Sequence, residues 1–136
     1  MEAVNRQRWF DLTVPFVDHL GIDLLEKLDG RSRLRMEAKP EFENNWGGLH
    51  GGVLLTLLDV ALATAARSLD ATCNGALTVE LKANFIAAAK GPVLAEGHAT
   101  RAGRSLIFSE GELRSEAGVL LAKATGTFKL LYAKEA

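Results

Sequence analysis

Residues 44–68 have the sequence NNWGGLHGGVLLTLLDVALATAARS, and this stretch decides the fold. Four glycines within six residues lead into a run that is apolar for most of its length. A helix that is apolar on nearly every side is expected to be buried on all sides. The stretch therefore predicts a long central helix over about 51–68, enclosed by other elements. One carboxylate, Asp59, lies in the middle of the run, where an unpaired charge costs several kcal/mol.

The segments around this helix have the patterns of strands. Asp29-Gly30 between two apolar runs is a hairpin signal, and Asn74-Gly75 is a second turn signal. Beyond it, alternation places four apolar side chains on one face: Val79, Leu81, Ala83 and Phe85. The predicted strands lie at about 21–28 and 31–38, within 76–91, and at about 92–102, 105–115 and 118–131.

The order of elements indicates the fold class. A short helix is predicted over about 3–18, limited by Pro15. Strands that follow a helix in series favour an α+β fold with an antiparallel sheet over alternating βαβ units. A length of 136 residues with 48% hydrophobic and 24% charged residues fits one folded domain spanning 1–136. We therefore predict about six strands curved around the central helix.

Charge and composition exclude several classes of protein. The formal net charge of −1 gives no support to a nucleic-acid partner. A single cysteine, Cys73, forms no internal disulfide and suits a reducing cytoplasm. The longest apolar run covers about 14 residues, whereas a membrane span needs roughly 20, and the N-terminus lacks the pattern of a signal peptide. We predict a cytoplasmic protein with neither a membrane nor a nucleic acid as partner.

Asp59 is the first candidate for chemistry. A carboxylate within an apolar helix often has a raised pKa and acts as an acid, a base or a nucleophile. The alternative is a structural carboxylate that accepts from a neighbouring donor, or one that faces solvent at a gap in the sheet. The helix pattern alone leaves both interpretations open.

The sequence GGLHGG at 47–52 is the second candidate. Backbone N–H groups at the start of a helix attract anions, and glycine lets a substrate approach the backbone closely. The segment could therefore form an oxyanion hole. The alternative is a loop that needs glycine only for its conformation. A phosphate-binding P-loop is excluded because no Lys-Ser/Thr pair follows.

The spacing of the two candidates has a consequence for assembly. Gly51 and Asp59 are eight residues apart, which separates them by about 12 Å along one helix. A catalytic carboxylate and an oxyanion donor both lie within about 3 Å of the reacting group. If both serve one site, they come from two copies of the chain. A two-fold axis then gives two identical sites per dimer.

These motifs together resemble a known family. The segment NNWGGLHGG with Asp59, then TVELKANFI, Gly103-Arg104 and AKATGTF, is similar to the hotdog-fold acyl-CoA thioesterases. The closest resemblance is to the phenylacetate-pathway (PaaI-like) branch of the 4-hydroxybenzoyl-CoA thioesterase superfamily, which pairs HGG with an Asp eight residues after its first glycine. The resemblance runs from about residue 20 to 131.

The resemblance implies roles at the start of the helix. The backbone N–H of Gly51 would polarise the thioester carbonyl, and His50 would shape the preceding turn. Asn44 would orient the carbonyl or the water, with Asn45 as its substitute if the loop register differs. Trp46 would line the acyl pocket or serve only in packing.

The resemblance also implies roles on the acid side. Asp59 of the other subunit would be the nucleophile or the general base on water, and Thr78 would hold that water. One position departs from a related branch that uses a helix threonine one turn past its acid. That position is Ala63 here, and the adjacent Thr64 faces about 100° away.

The coenzyme A phosphates would be bound by basic residues at a strand junction. Arg104 is the first candidate, with Arg101 and Lys90 adding charge, and a solvated surface turn is the alternative. No metal site is predicted, because the three histidines are scattered. The resemblance implies no cofactor beyond the coenzyme A of the substrate itself.

The predicted function is hydrolysis of an acyl- or aryl-CoA thioester to the free acid and coenzyme A. The site would require a homodimer, with assembly into a tetramer of two dimers expected. One rival is a hotdog dehydratase or hydratase, which pairs a catalytic histidine with an acid in a different motif. The other is a non-catalytic acyl-CoA-binding module, a class in which the acid can be lost.

Overall fold

The computed structural model describes residues 14–133, in which six antiparallel strands wrap around one long helix. The elements are α1 (Pro15–Leu20), β1 (Asp23–Leu28), β2 (Arg31–Met36), a 3₁₀ turn (Pro40–Phe42), α2 (Gly51–Arg67), β3 (Gly75–Phe85), β4 (Val93–Arg101), β5 (Leu106–Ser115) and β6 (Leu120–Leu131). The strand order is β1-β2-β4-β5-β6-β3, and every pairing is antiparallel. The predicted α+β class, six-stranded sheet and central helix are confirmed.

The β1–β2 turn is the hairpin predicted at Asp29-Gly30. Both residues have positive φ, 50° at Asp29 and 82° at Gly30. This conformation is typical of two-residue hairpin turns, whose twist matches that of the flanking strands. The turn explains why a short local signal sufficed to predict β1 and β2.

The N-terminal helix differs from its prediction. Most of the predicted range 3–18 lies outside the described residues. Within them, Val14 is extended (φ −113°, ψ 99°) and α1 begins at Pro15. Pro15 therefore starts a helix instead of limiting one, since the first helical position needs no N–H donor. The prediction of a helix that continues through Val14 is therefore wrong.

The composition of the central helix α2 predicted burial on all sides, but one side is open. Its sheet-facing side chains, including Leu57, Leu58 and Leu62, are completely buried. A stripe at helical spacing is only partly covered or exposed: Gly52, Leu55, Asp59 and Ala63. The described chain leaves this side of α2 open, and Asp59 lies on it.

The sheet approaches α2 closely at its middle. Ser32 donates from Oγ to the Ala61 carbonyl at 2.6 Å, and Ser109 donates to the Leu62 carbonyl at 3.1 Å. Gly97 faces the same part of the helix, where an added Cβ would lie 2.7 Å from the Ala61 carbonyl oxygen. These contacts fix the position of α2 within the sheet.

Gly97→Ala is therefore expected to destabilise the protein by about 1–3 kcal/mol, because the added methyl group would push α2 away from β4. Chemical denaturation would measure the change. Gly103→Ala is the matched control, since no atom lies within 4 Å of its Cβ position. Equal unfolding midpoints for the two variants would contradict this packing role.

Strand β3 contains a β-bulge that the alternating sequence did not predict. Thr78 pairs with Phe128 and Glu80 with Thr127, so Val79 is an extra residue without a partner on β6. Val79 is 59% exposed. Alternation predicted Val79 on one strand face with Leu81, Ala83 and Phe85, and the bulge interrupts that alternation at Val79.

Strand β3 is also an edge of the sheet with exposed apolar residues. Its outer neighbour position is empty in the described chain, since β3 ends the strand order. Four large apolar side chains at or beside this edge are more than half exposed: Leu77, Val79, Phe85 and Ile86. An edge of this kind is a surface prone to pair with another chain.

Candidate active site

The glycine-rich loop before α2 is organised by Asn44. The side-chain oxygen of Asn44 accepts from the backbone N–H of Trp46 at 2.8 Å and from that of Gly48 at 3.2 Å. The backbone N–H of Asn44 donates to the Gly48 carbonyl at 2.7 Å. Asparagine commonly closes tight turns in this way. The turn occupies the Asn44 side-chain oxygen, and among residues 14–133 the Nδ2 hydrogens have no acceptor, so they remain donors for another group.

His50 caps the start of α2. Its Nδ1 accepts from the Gly52 N–H at 2.8 Å, and its carbonyl accepts from the N–H groups of Val53 and Leu54 at 3.0 and 3.2 Å. Because Nδ1 accepts, the neutral ring carries its proton on Nε2. His50 thus lies where a residue shaping the turn was predicted.

The cap leaves one backbone donor unused at the start of the helix. The N–H of Gly51 has no hydrogen-bond acceptor among residues 14–133. It lies at the positive end of the α2 dipole, where negative charge is stabilised. This arrangement suits a developing oxyanion.

Gly51 and Asn44 line the same groove. The groove has a volume of about 400 Å³, and its other walls include Leu54, Phe85 and Ala89. The Phe85 ring lies 3.8 Å from the Cβ position of Gly51. The structure therefore brings together two of the predicted donors beside an aromatic wall.

Asp59 lies farther along α2 and does not line that groove. Its Oδ1 accepts from the Thr78 hydroxyl at 2.7 Å. Burial raises the pKa of the Asp59 carboxyl, and the Thr78 hydrogen bond opposes that rise. The predicted neighbouring donor is thus present. A carboxylate with one such partner still has lone pairs for a proton or a substrate.

Each chain therefore holds two separate sets of site residues. We call Asn44 and Gly51 the donor half-site, and Asp59 and Thr78 the acid half-site. Ala63 follows Asp59 on the open stripe, while Thr64 is completely buried. The Thr64 hydroxyl therefore lies away from the acid half-site.

The three basic residues predicted for coenzyme A do not lie together in one chain. Arg101 donates from Nη1 to the carbonyls of Gly103 and Arg104 in the β4–β5 turn, and its Nη2 lies 3.7 Å from Asp70 Oδ2. Asp70 follows the C-terminal end of α2, roughly 25 Å from its start. Arg101 and Arg104 therefore lie near that end of the helix.

Lys90 lies at the opposite end of α2. The adjacent Ala89 carbonyl accepts from the Leu49 N–H at 2.8 Å, which joins the β3–β4 loop to the glycine-rich loop. Lys90 is exposed there. Within one chain it is the basic candidate beside the donor half-site, whereas Arg101 is engaged by its own turn.

Two features of the site region were not predicted from the sequence. Phe85 was assigned to an apolar strand face, yet it is about half exposed and stands over Gly51. Asp70 accepts from Tyr132 at 2.8 Å and from Thr72, which lowers its pKa to about 2. The Phe85–Gly51 and Tyr132–Asp70 contacts have no local signal, because each joins residues distant in sequence, whereas Thr72 is only two residues from Asp70. Trp46 is 79% exposed, so the residues that the structure describes leave most of its side chain uncovered.

The described part of the chain shows neither a metal site nor a membrane-spanning helix. Among residues 14–133, no group of three histidine, cysteine or acidic residues is placed to hold a metal ion. No helix in that range is long and apolar enough to cross a membrane.

Comparison with known proteins identifies relatives. Residues 47–122 match the profile of the thioesterase superfamily. A protein from Saccharolobus solfataricus, named as an esterase by inference, is 33% identical over 116 residues, covering 85% of this chain and 82% of the relative.

Solved structures share the fold. A thioesterase family protein from Silicibacter pomeroyi superposes with a TM-score of 0.81 at 29% identity, covering 88% of this chain and 91% of that one. PaaI of Escherichia coli, from the phenylacetic acid degradation operon, gives 0.83 at 19% identity, covering 94% and 91%. These likenesses confirm the predicted hotdog fold.

Proposed function

Because the chain belongs to the thioesterase superfamily, we propose that it hydrolyses an acyl- or aryl-CoA thioester to the free acid and coenzyme A. One observation carries the proposal. A single helix presents an unused N–H donor at Gly51 and a partly buried carboxylate at Asp59, eight residues later. These are the two groups that acyl transfer requires, a donor for the oxyanion and an acid or base for water.

We propose that two chains complete each site. The donor half-site and the acid half-site are too far apart to act on one thioester within a chain, since eight helical residues span about 12 Å. The exposed apolar edge of β3 and the open stripe of α2 supply a surface for the second copy. A two-fold axis would place the partner subunit's Asp59 opposite Gly51 and Asn44.

The chemistry follows from the donors and the acid. The thioester oxygen would accept from the Gly51 N–H and from Asn44 Nδ2, which stabilise negative charge as the carbonyl carbon is attacked. Asp59 would either remove a proton from the attacking water or attack directly and form an anhydride that water then opens. In both routes water supplies the hydroxyl of the acid and the hydrogen of the released thiol.

The position of His50 disfavours the dehydratase alternative. A dehydratase pairs a catalytic histidine with an acid in a different motif, whereas His50 caps α2 through Nδ1 and the acid Asp59 lies at the spacing typical of thioesterases. The finer parts of the proposal are the PaaI-like branch, a cytoplasmic location, a tetramer of two dimers, and phosphate contacts from Arg104 and Lys90. A non-catalytic binding module can lose the acid, so the presence of Asp59 supports an enzyme over such a module.

The direct test is thiol release from a panel of acetyl-, octanoyl-, benzoyl- and phenylacetyl-CoA, with sedimentation measured under the same conditions. We expect hydrolysis of at least one thioester by a dimer or a larger assembly. Absence of thiol release across the panel would contradict the activity. An active monomer would contradict the two-chain site.

A further inference from the structure

We infer that Thr78 is a positioning residue for Asp59, and that the bulge at Val79 gives it that position. The resemblance implied instead that Thr78 holds the water. The inference rests on the proposed function, because it describes how the acid of that same site is held. It concerns contacts within one chain, and so does not depend on the form of the dimer.

The bulge determines which way Thr78 faces. Opposed residues of an antiparallel pair share a face, and Thr78 is opposite Phe128, which is completely buried on the helix side. Leu81 also faces the helix, opposite Gly126. In a regular strand, residues 78 and 81 would face opposite sides. The extra residue Val79 removes that conflict, so both point towards α2.

The Thr78 hydroxyl restricts the Asp59 carboxylate. It has one hydrogen, and that hydrogen is donated to Oδ1 at 2.7 Å. The bond fixes the carboxylate plane and leaves Oδ2 as the oxygen without this donor. A β-branched side chain has few rotamers in a strand, so the donor itself is well fixed. Thr78 therefore acts on the substrate through Asp59.

Among residues 14–133, no charged group supplies the same effect. Burial raises the pKa of Asp59, and the Thr78 bond is the contact that lowers it. On β3, Glu80 and Lys82 pair with Thr127 and Thr125 and share the outer face of the sheet with them. The residues of β6 that face α2 here are Gly126 and Phe128, and α2 has no other charge before Arg67. Among the described residues, the Thr78 hydroxyl is thus the group that favours the ionised form of Asp59.

The test compares Thr78→Val, which keeps the branched shape and removes the donor, with Thr78→Ser, which keeps the donor. We expect Thr78→Val to lower kcat at pH 7 by about tenfold, the effect of one charge-assisted hydrogen bond, with KM within about twofold of the wild type. The acid limb of its pH profile should move to higher pH. Thr78→Ser should restore both. Thr125→Val, on the outer face of β6, is the matched control.

Two outcomes separate this inference from the proposed function. If Asp59→Asn is inactive but Thr78→Val keeps the wild-type kcat and pH profile, the positioning role is wrong and the activity stands. If the wild type releases no thiol, the activity is wrong, and carbon-13 NMR titration of the Asp59 carboxyl still decides the inference. A carboxyl that titrates at the same pH in wild type and Thr78→Val would overturn it.

Discussion

Asp59→Asn is expected to lower kcat for thioester hydrolysis by about 10²- to 10⁴-fold, because the amide can neither accept a proton from water nor attack the carbonyl. The substitution preserves size, and the Asn oxygen can still accept from Thr78. Thiol release under saturating substrate measures the change. If the variant keeps more than about a tenth of the wild-type rate, Asp59 has no catalytic role in the reaction.

The same substitution is expected to leave the fold intact or to stabilise it. Burial raises the pKa of Asp59 above its usual 3.8. The folded state therefore binds the proton more tightly than the unfolded state. The stability that this protonation contributes is present below pH 3.8 and is lost as pH rises through the folded pKa. At pH 7 the wild type holds an ionised carboxylate at a cost that Asn avoids. Thermal melts should show an equal or higher Tm for the variant.

Asp70→Asn is the control, because its expected effect on stability at pH 7 is opposite to that of Asp59→Asn. The pKa of Asp70 is lowered to about 2 by its bonds to Thr72 and Tyr132. Its contribution to stability is therefore present above about pH 4 and lost as pH falls towards 2. The variant should melt earlier than the wild type at pH 7, converge with it near pH 2, and keep its activity. Loss of activity in both variants would indicate a general effect of destabilisation.

The parts of this molecule that were predictable have local causes. The length of α2 follows from one apolar run, and the first hairpin from Asp29-Gly30. The eight-residue spacing of Gly51 and Asp59 is readable without coordinates, and it is the basis for proposing a second chain. These features depend on neighbours in sequence and on the fixed rise of a helix.

The parts that were missed depend on distant partners. The bulge at Val79 exists because β3 must match the faces of β6, about 50 residues later. Alternation within β3 alone therefore did not predict the bulge. The ring of Phe85 over Gly51 and the Arg101–Asp70 contact likewise join separate elements. The open stripe of α2 was missed because composition does not tell a side chain buried by its own chain from one left for another.

Gly51→Pro is expected to lower kcat by about 10²- to 10³-fold, the usual effect of removing one oxyanion donor. Proline has no N–H, and its ring would occupy the position of the lost hydrogen. The helix should tolerate it, because Gly51 is the first helical residue and His50 has φ −64° and ψ 138°, a conformation favoured before proline. Gly51→Ala keeps the N–H, and its Cβ would lie 3.8 Å from Phe85. That variant should raise KM by narrowing the groove and keep kcat.

Combining the two inactive variants tests the assembly of the site. In a dimer of one Asp59→Asn chain and one Gly51→Pro chain, a two-chain site pairs the intact Gly51 of the first with the intact Asp59 of the second. The other site receives both defects. We therefore expect a heterodimer, isolated through two different affinity tags, to recover about half of the wild-type kcat per dimer. If each site lay within one chain, both sites would carry a defect and the heterodimer would be as inactive as its parents.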